Sequence, residues 1–291
     1  MTPDHGAGYI LRFVVTTPGK VALSAALLFA VLAAGSPIYG QIVAPAGRTL
    51  FNEGLLVRTL VRWDSFEDSE SGEDFSRLRN IYALVWGARP HLSLSLVAPL
   101  VRVTRGGVSR SGSADASVFA RYDVLRRTVP GGYTRLAPEL GVKLPTGGLF
   151  GSGSTDLIGG LVLSHVRDPD WWIADVQLTL PGVGDEGIGA GDRARFDLAY
   201  LRRVLPRNSV GVPMVLAVFE LSGVSVGNTT RRGSTVGDSG GDLLTFAPGI
   251  EYIVGRRLVL EASVPLPIYE RLRGGQPKPG PSVILGVRWL F

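Results

Sequence analysis

The stretch "SVILGVRWLF", Ser282 to Phe291, ends the chain with side chains that alternate in character. One parity consists only of bulky apolar residues, namely Val283, Leu285, Val287, Trp289 and Phe291. The other parity mixes small, charged and apolar residues, namely Ser282, Ile284, Gly286, Arg288 and Leu290. Alternation with a period of two predicts a β-strand with one apolar face. Such a face would promote aggregation of a water-soluble domain, but it suits a strand whose outer side contacts lipid.

The composition excludes several classes of function. The chain has 291 residues, 45% of them hydrophobic, with 39 Gly, 19 Pro, 3 His and no Cys. Without cysteine there are no disulfides, thiolate nucleophiles or cysteine-based zinc sites. Basic residues are scattered among acidic ones, and no basic block with interleaved aromatic residues indicates a nucleic-acid partner. We therefore expect no cofactor, no metal site and no nucleic-acid binding.

The N-terminal region contains one long apolar run without charge, "VALSAALLFAVLAAG", from Val21 to Gly35. It follows Arg12 and Lys20, ends in small residues, and is shorter than the roughly 20 residues that a spanning helix needs. These features predict a secretory signal peptide over residues 1–35, with a membrane-anchoring helix as the alternative. Residues 36–53 would then be a short N-terminal segment and residues 54–291 the folded unit of an exported protein.

Twelve alternating segments of about ten residues follow from Gly54 onwards, a length that matches the 9–11 residues of a membrane-spanning β-strand. No stretch with helical periodicity competes with them. The segments are 55–65, 77–88, 92–103, 114–126, 133–144, 156–166, 171–181, 193–203, 212–223, 243–253, 257–268 and 282–291.

The breaks between these segments alternate in length. Short breaks such as "RPH" (89–91) and "GRR" (255–257) follow even-numbered segments, whereas longer breaks such as "PTGGLFGSGST" (145–155) follow odd-numbered ones. Short periplasmic turns that alternate with longer external loops are typical of outer-membrane barrels. The sequence therefore predicts an all-β fold, a transmembrane antiparallel barrel of about 12 strands with up-and-down topology.

Charged residues recur on the parity opposite the apolar one. In a soluble core such charges would be costly, whereas a barrel with a polar lumen accommodates them. The residues predicted to face the lumen are Arg58, Arg62, Asp115, Arg121, Asp123, Arg135, Glu139, Lys143, Asp175, Arg195, Asp197, Glu220, Glu251, Glu261 and Arg288.

The size and charge of this lumen predict a narrow path. Eight strands leave a lumen that side chains fill, and 16–18 strands leave an open channel, so twelve lie between these limits. Three arginines share the inner face with three acidic residues, and we expect ion pairs among Arg121, Arg135, Arg195, Asp123, Glu139 and Asp197.

Aromatic residues and prolines add detail to the predicted wall. An interfacial aromatic girdle is expected from residues near segment ends: Tyr122, Trp172, Tyr200, Tyr252, Tyr269 and Trp289. Pro138 and Pro248 fall inside segments, where a missing N–H requires a bulge or a local defect of the ladder. We expect Phe291 to close the last strand against the first, and Trp289 with Phe291 to form the signal that barrel-assembly machinery recognises.

Two motifs suggest chemistry that their surroundings do not support. "GDSGG" (237–241) matches the nucleophile motif of chymotrypsin-like proteases, but neither His91 nor His165 has that family's surroundings. "GLFGSGST" (148–155) lacks the lysine of a phosphate-binding loop and precedes a strand-like segment. Both motifs are interpreted as parts of solvated external loops.

Four stretches carry a resemblance to a known family: "PELGVKLPTG" (138–147), "GSGSTDLIGGLVLSH" (151–165), "APGIEYIVGRRLVLEASVPLPIYERLRG" (247–274) and "ILGVRWLF" (284–291). In these the chain resembles the outer-membrane transporters of the MetA-pathway of phenol degradation, over roughly residues 55–291. The resemblance implies an outer-membrane channel or transporter for small aromatic or apolar compounds. It implies no catalytic or binding residues.

The sequence thus predicts a non-enzymatic channel in the bacterial outer membrane, surrounded by lipid, with a narrow charged lumen for an unknown small molecule. Two alternatives remain open. One is a barrel-embedded hydrolase, for which Ser164, His165 and Ser239 are the candidate residues. The other is a structural or adhesion barrel that acts through its external loops.

Overall fold

The structure of the chain is a computed structural model that describes residues 54–68, 72–206 and 213–291. The predicted signal peptide, residues 1–35, and the segment 36–53 lie outside the described residues. The described residues contain no helix long and apolar enough to cross a membrane.

The described residues form eighteen β-strands and one 3₁₀ helix, Asp185–Gly187. The strands are β1 (Leu55–Glu67), β2 (Phe75–Arg89), β3 (Leu92–Arg105), β4 (Val108–Ser113), β5 (Ser117–Tyr122), β6 (Leu125–Val129), β7 (Gly132–Lys143), β8 (Asp156–Arg167), β9 (Asp170–Leu180), β10 (Ile188–Gly189), β11 (Arg193–Leu205), β12 (Met214–Val226), β13 (Thr230–Arg231), β14 (Ser234–Thr235), β15 (Gly241–Ile253), β16 (Leu258–Ser263), β17 (Leu266–Leu272) and β18 (Lys278–Leu290).

Fifteen of these strands build a closed antiparallel barrel with twelve strand positions. The fourth position is shared by β4, β5 and β6, and the eleventh by β16 and β17. The short strands β10, β13 and β14 form a separate small sheet. The barrel closes where β1 pairs with β18, in a register from Leu56 opposite Leu290 to Glu67 opposite Lys278. The predicted twelve-stranded antiparallel barrel is therefore confirmed.

The two ends of the barrel differ in their connections. At one end, which we call the short-turn end, β2 joins β3 at residues 90–91, β6 joins β7 at 130–131, and β8 joins β9 at 168–169. Leu55 and Phe291 also lie there, and the Phe291 N–H donates a 2.8 Å hydrogen bond to the Leu55 carbonyl. The opposite end, the long-loop end, carries the connections 144–155, 181–192 and 227–240, the last two of which include the small sheet.

Two of the predicted segments differ from the observed strands. The segment predicted at 114–126 is interrupted at 114–116 and 123–124, and residues 108–113, assigned to a loop, form β4 instead. A two-residue turn with positive φ at Gly106 and Gly107 lets β4 pair back onto β3. The segment predicted at 257–268 is split by Val264 and Pro265.

These interruptions coincide with prolines in the neighbouring strands. Pro99 of β3 lies beside the gap between β4 and β5, Pro138 of β7 beside the gap between β5 and β6, and Pro248 of β15 beside the gap between β16 and β17. A proline has no N–H to donate, so a continuous partner strand would leave a carbonyl without a donor. The predicted ladder defects at Pro138 and Pro248 are confirmed.

The alternation of β18 appears in the structure as two different environments. Leu285 and Trp289 are 55% and 40% exposed on the outside, whereas Ile284 is 1% exposed inside the barrel. Some other exposed aromatic residues, such as Trp86 and Tyr122, lie near strand ends, whereas Tyr82 and Phe219 are in mid-strand, and Trp172 packs on Tyr200 with ring centroids 4.5 Å apart. The outer surface is therefore a band of apolar and aromatic side chains, which is suited to lipid.

The interior of the barrel also contains an apolar cluster that the sequence analysis did not predict. Its most buried members are Leu201, Leu216 and Val218, each with 0% exposure, together with Phe119 and Ile284. These side chains come from facing walls and pack against each other in the middle and short-turn half of the barrel. The lumen is consequently part ion-pair network and part hydrophobic core, rather than polar throughout.

Candidate functional site: the barrel lumen

All fifteen residues predicted to face the lumen lie on the inward parity of their strands or beside it. All are buried except Arg62, whose side chain is 22% exposed. The structure separates fourteen of them into four groups, which are a cluster near the long-loop end, a network near the short-turn end, a network across the middle, and two rim pairs, and Glu220 lies apart from these.

The cluster near the long-loop end surrounds Asp64. Its carboxylate accepts hydrogen bonds from Arg62 Nε at 2.6 Å, Arg77 Nη2 at 3.1 Å and Arg79 Nη2 at 3.0 Å, and from Ser282 Oγ at 2.9 Å. The ladder positions these groups, because Asp64 is opposite Arg77 and Arg62 is opposite Arg79 across β1 and β2. One carboxylate therefore holds three guanidinium groups together.

Only Arg62 of this cluster was in the predicted set. Asp64 and the two arginines of β2 were missed, although each has the inward parity of its strand. The alternation in "RTLVRWD" and "RLRN" was the available signal.

The network near the short-turn end joins β1, β15, β16 and β18. Arg58 Nη2 lies 2.9 Å from Glu261 Oε2, and Arg288 Nη2 lies 2.5 Å from Glu251 Oε1 and also pairs with Glu261. A Cβ at Gly286 would lie 2.4 Å from Leu60 Cδ2 and 2.6 Å from Glu261 Oε2, so a larger residue there would require these two side chains to move. The two glutamates are opposite each other in the ladder, but the arginines bind both, which makes the group an ion-pair network.

The network across the middle contains pairs that the alternation predicted. Arg121 Nη2 lies 2.6 Å from Glu139 Oε2, and Arg195 Nη2 lies 2.6 Å from Asp197 Oδ2. Asp175 lies 3.8 Å from the same Arg195 group. These bridges extend from β5 to β11 and tie neighbouring strands together across the inner face.

The remaining predicted residues are at the two rims. At the short-turn end, Arg135 pairs with Asp123 at 3.5 Å. At the long-loop end, Asp115 accepts hydrogen bonds from the backbone N–H groups of Gly147 and Ser152 at 2.9 and 2.8 Å, and Lys143 lies 3.4 Å away. Asp115 and Lys143 thus anchor the loop 144–155 at this rim, and their expected place along the path stays a prediction.

Glu220 completes the predicted set on β12. It is 2% exposed and opposite Ala247 of β15, between the middle network and a cavity near the long-loop end. This cavity has a volume of about 170 Å³. It is bounded by the Asp64 cluster, by Arg195 and Asp197, and by apolar residues of β12, β15 and β17.

The residues considered for hydrolysis lie in structural positions. Ser239 is buried, accepts a 2.8 Å hydrogen bond from the Thr229 N–H and donates to the Val236 carbonyl at 2.6 Å, so it stabilises a loop at the long-loop end. His91 lies in the turn between β2 and β3, and His165 pairs with Thr134 in the short-turn half. Ser239 and these histidines are at opposite ends of the barrel. Among the described residues, no three His, Asp or Glu side chains are arranged to hold a metal ion.

Comparison with known proteins identifies the class of this barrel. No model of a protein family matches the chain, and no curated protein matches it in sequence. The chain is similar in structure to the COG4313 outer membrane channel from Pseudomonas putida F1, with a TM-score of 0.69 and 14% identity, over 83% of this chain and 97% of that one. It is also similar to the beta domain of the Bordetella autotransporter BrkA, with a TM-score of 0.50 and 14% identity, over 83% and 100% of the two chains.

These likenesses show that the chain has the fold of outer-membrane β-barrels. The outer-membrane β-barrel fold that the sequence predicts is therefore confirmed. Assignment to the transporters of phenol degradation stays a prediction.

Proposed function

We propose that this protein is an outer-membrane channel that passes small molecules through a narrow lumen. The observation that carries the proposal is the combination of an apolar outer band with an internal cavity that has both charged and apolar walls. A purely structural barrel needs only to fill its interior, whereas a cavity that combines placed charges with apolar walls is typical of a small-molecule site.

We further propose that the short-turn end faces the periplasm and the long-loop end faces the outside, as is usual for such barrels. The protein would be surrounded by outer-membrane lipid after export. The outward Trp289 and Phe291, whose ring centroids are 6.4 Å apart, would be recognised by barrel-assembly machinery. Deletion of Phe291 is expected to lower the yield of heat-modifiable barrel in membranes, and an unchanged yield would contradict this role.

The substrate class that we propose is small aromatic or apolar compounds. The cavity walls formed by Val224, Val226, Leu243 and Leu272 support this choice, because they offer apolar surface next to a few charged groups. The P. putida neighbour is described as an outer membrane channel, which agrees with passage of solutes but names none.

Electrical recording in planar bilayers tests the proposed function. The purified full chain should give discrete conductance steps that are smaller than those of a sixteen-stranded porin measured in the same bilayer, because twelve strands enclose a narrower lumen. Vesicles that contain the protein should also release a small entrapped solute faster than protein-free vesicles. Absence of both conductance and release would contradict the proposal.

A further inference from the structure

The cavity near the long-loop end has a cationic wall made by β1 and β2. Arg62, Arg77 and Arg79 contribute three positive charges and Asp64 one negative charge, so this wall carries a net charge of +2. The Arg77 and Arg79 side chains are 6% exposed, whereas Arg62 is 22% exposed. Arg62 is therefore the guanidinium that a molecule in the cavity would contact.

The geometry around Arg62 holds this group in place. Its Nε donates to Asp64 at 2.6 Å and its Nη2 lies 3.5 Å from Ser282 Oγ. A guanidinium has five N–H donors in a planar fork that matches a carboxylate. The cluster thus presents an oriented donor face instead of a mobile surface charge.

The opposite wall has the reverse polarity. Asp197 and Glu220 contribute two negative charges and Arg195 one positive charge, a net charge of −1. Asp197 pairs with Arg195 at 2.6 Å and also accepts a hydrogen bond from Ser222. This separation of charge across the cavity orients a bound anion with its charged end towards β1 and β2.

Apolar side chains occupy the part of the cavity closer to the long-loop end. Phe66, Val224, Val226, Leu243, Leu272 and Pro267 line it. The volume of about 170 Å³ is close to the roughly 150 Å³ of an apolar cavity that holds one benzene ring. The available space therefore fits a body the size of a six-membered ring, and it is too small for a two-chain lipid.

We propose that this cavity binds a small monocarboxylate with an apolar body of about that size, its carboxylate against Arg62 and its body against Leu243 and Leu272. The inference deepens the proposed function, on which it rests for the idea that the ligand is a solute in transit. It names the substrate as an amphipathic anion, rather than a neutral apolar compound.

The test is calorimetric titration of the full chain in vesicles of zwitterionic lipid with three compounds of matched shape. These are cyclohexanecarboxylate, the neutral cyclohexylmethanol and the cationic cyclohexylmethylamine, each corrected for partition into protein-free vesicles. The carboxylate is expected to bind about tenfold more tightly than the other two, because charge-assisted hydrogen bonds are stronger than neutral ones. Equal or tighter binding of the alcohol or the amine overturns the proposal.

Variants separate the charged contact from the apolar one. Arg62→Gln should reduce carboxylate affinity about tenfold and leave alcohol binding unchanged. Arg110→Gln, which removes an exposed arginine of β4 outside the cavity, should leave all three affinities unchanged. Leu243→Gln should weaken all three compounds to a similar degree. Heat modifiability of each variant on gels verifies that the barrel has folded, and an unchanged carboxylate preference in folded Arg62→Gln overturns the assignment.

Release of cyclohexanecarboxylate from vesicles distinguishes this inference from the proposed function. Binding that depends on Arg62 without conductance or release would contradict the channel and leave the site in place. Conductance and release without a preference for the carboxylate would contradict the site and leave the channel in place.

Discussion

The two halves of the lumen are built from the same strands but are filled differently. Near the long-loop end, three arginines share Asp64 and border a cavity of about 170 Å³. In the short-turn half, Arg58 and Arg288 are buried against Glu251 and Glu261, and apolar side chains such as Leu216 fill the adjacent space. The first half leaves an open cavity, whereas the second is packed like the core of a soluble domain.

This difference would allow the proposed channel to be both stable and permeable. Fully buried ion pairs depend on both partners, because removing one leaves an uncompensated charge in a medium of low dielectric. Removing one partner of a partly exposed ion pair costs much less stability, because water replaces the missing partner. Stability should therefore be concentrated in the short-turn half and solute selection in the long-loop half.

The largest expected effect is the loss of Glu261. Glu261→Gln leaves Arg58 and Arg288 with less negative charge nearby, and the barrel should lose about 3–5 kcal/mol of unfolding free energy. Urea titration of the barrel folded into lipid vesicles measures this loss. Glu270→Gln, at the exposed Glu270–Lys278 pair, is the control and should cost under about 1 kcal/mol. Equal losses of unfolding free energy in the two variants would contradict the proposed difference in stability between the two halves.

A cavity in the apolar cluster should have the next largest effect. Leu216→Ala deletes a side chain with 0% exposure and should reduce the unfolding free energy by about 2–4 kcal/mol. It should also raise single-channel conductance, because this side chain fills part of the lumen below the cavity. Leu198→Ala, on the lipid-facing parity of β11, should leave conductance unchanged. A conductance that stays at the wild-type value in Leu216→Ala would show that the cluster does not limit the path.

Loss of charge beside the cavity should change selectivity more than stability. Arg62→Gln leaves Asp64 bound by Arg77 and Arg79 and should cost under about 1 kcal/mol. Reversal potentials under a salt gradient should shift towards cation selectivity, because the cationic wall is weakened. If the reversal potential of folded Arg62→Gln equals that of the wild type, Arg62 lies away from the conducting path.

The smallest effect concerns a turn outside the membrane-spanning strands. Hydrogen bonding to Arg203 holds the pKa of Asp168 below its ordinary value. A depressed pKa contributes stability that is present above the ordinary value of about 4 and lost as pH falls through the folded value. Between pH 6 and about pH 2, the free energy of unfolding should therefore change slightly less in Asp168→Asn than in wild type. Identical pH profiles would show that this pair adds no stability.

Part of this structure could be predicted from the sequence because its cause is local. The alternation of Val283, Leu285 and Val287 indicates which side of β18 faces lipid. The same alternation predicts that Arg121 lies on the same inner face as Glu139, and the two residues are opposite each other in the ladder. Repeated strand lengths and the alternating loop lengths gave the number of strands. These features depend on neighbours in sequence or on the adjacent strand.

Other features depend on contacts that are distant in sequence. The run "MVLAVF" at 214–219 is apolar on both parities, so, although Glu220 indicates the inward parity, it does not show that Leu216 and Val218 pack as an apolar core inside the lumen. Asp115 anchors the loop 144–155 because the gap beside Pro99 brings Asp115 close to this loop. The periodicity of the sequence does not predict this contact. The glycines at 106 and 107 made a tight hairpin resemble a loop.

Thiol accessibility tests the central claim most directly, namely that the lumen is wide from the outside down to the cavity and narrows below it to a path too tight for a bulky reagent. The chain has no cysteine, so single substitutions have a clean background. Thr245→Cys borders the cavity and Ala199→Cys lies in the buried apolar cluster with 2% exposure. With a membrane-impermeant thiol reagent added to whole cells, Thr245→Cys should react and Ala199→Cys should not. Equal reaction of the two cysteines would contradict the account.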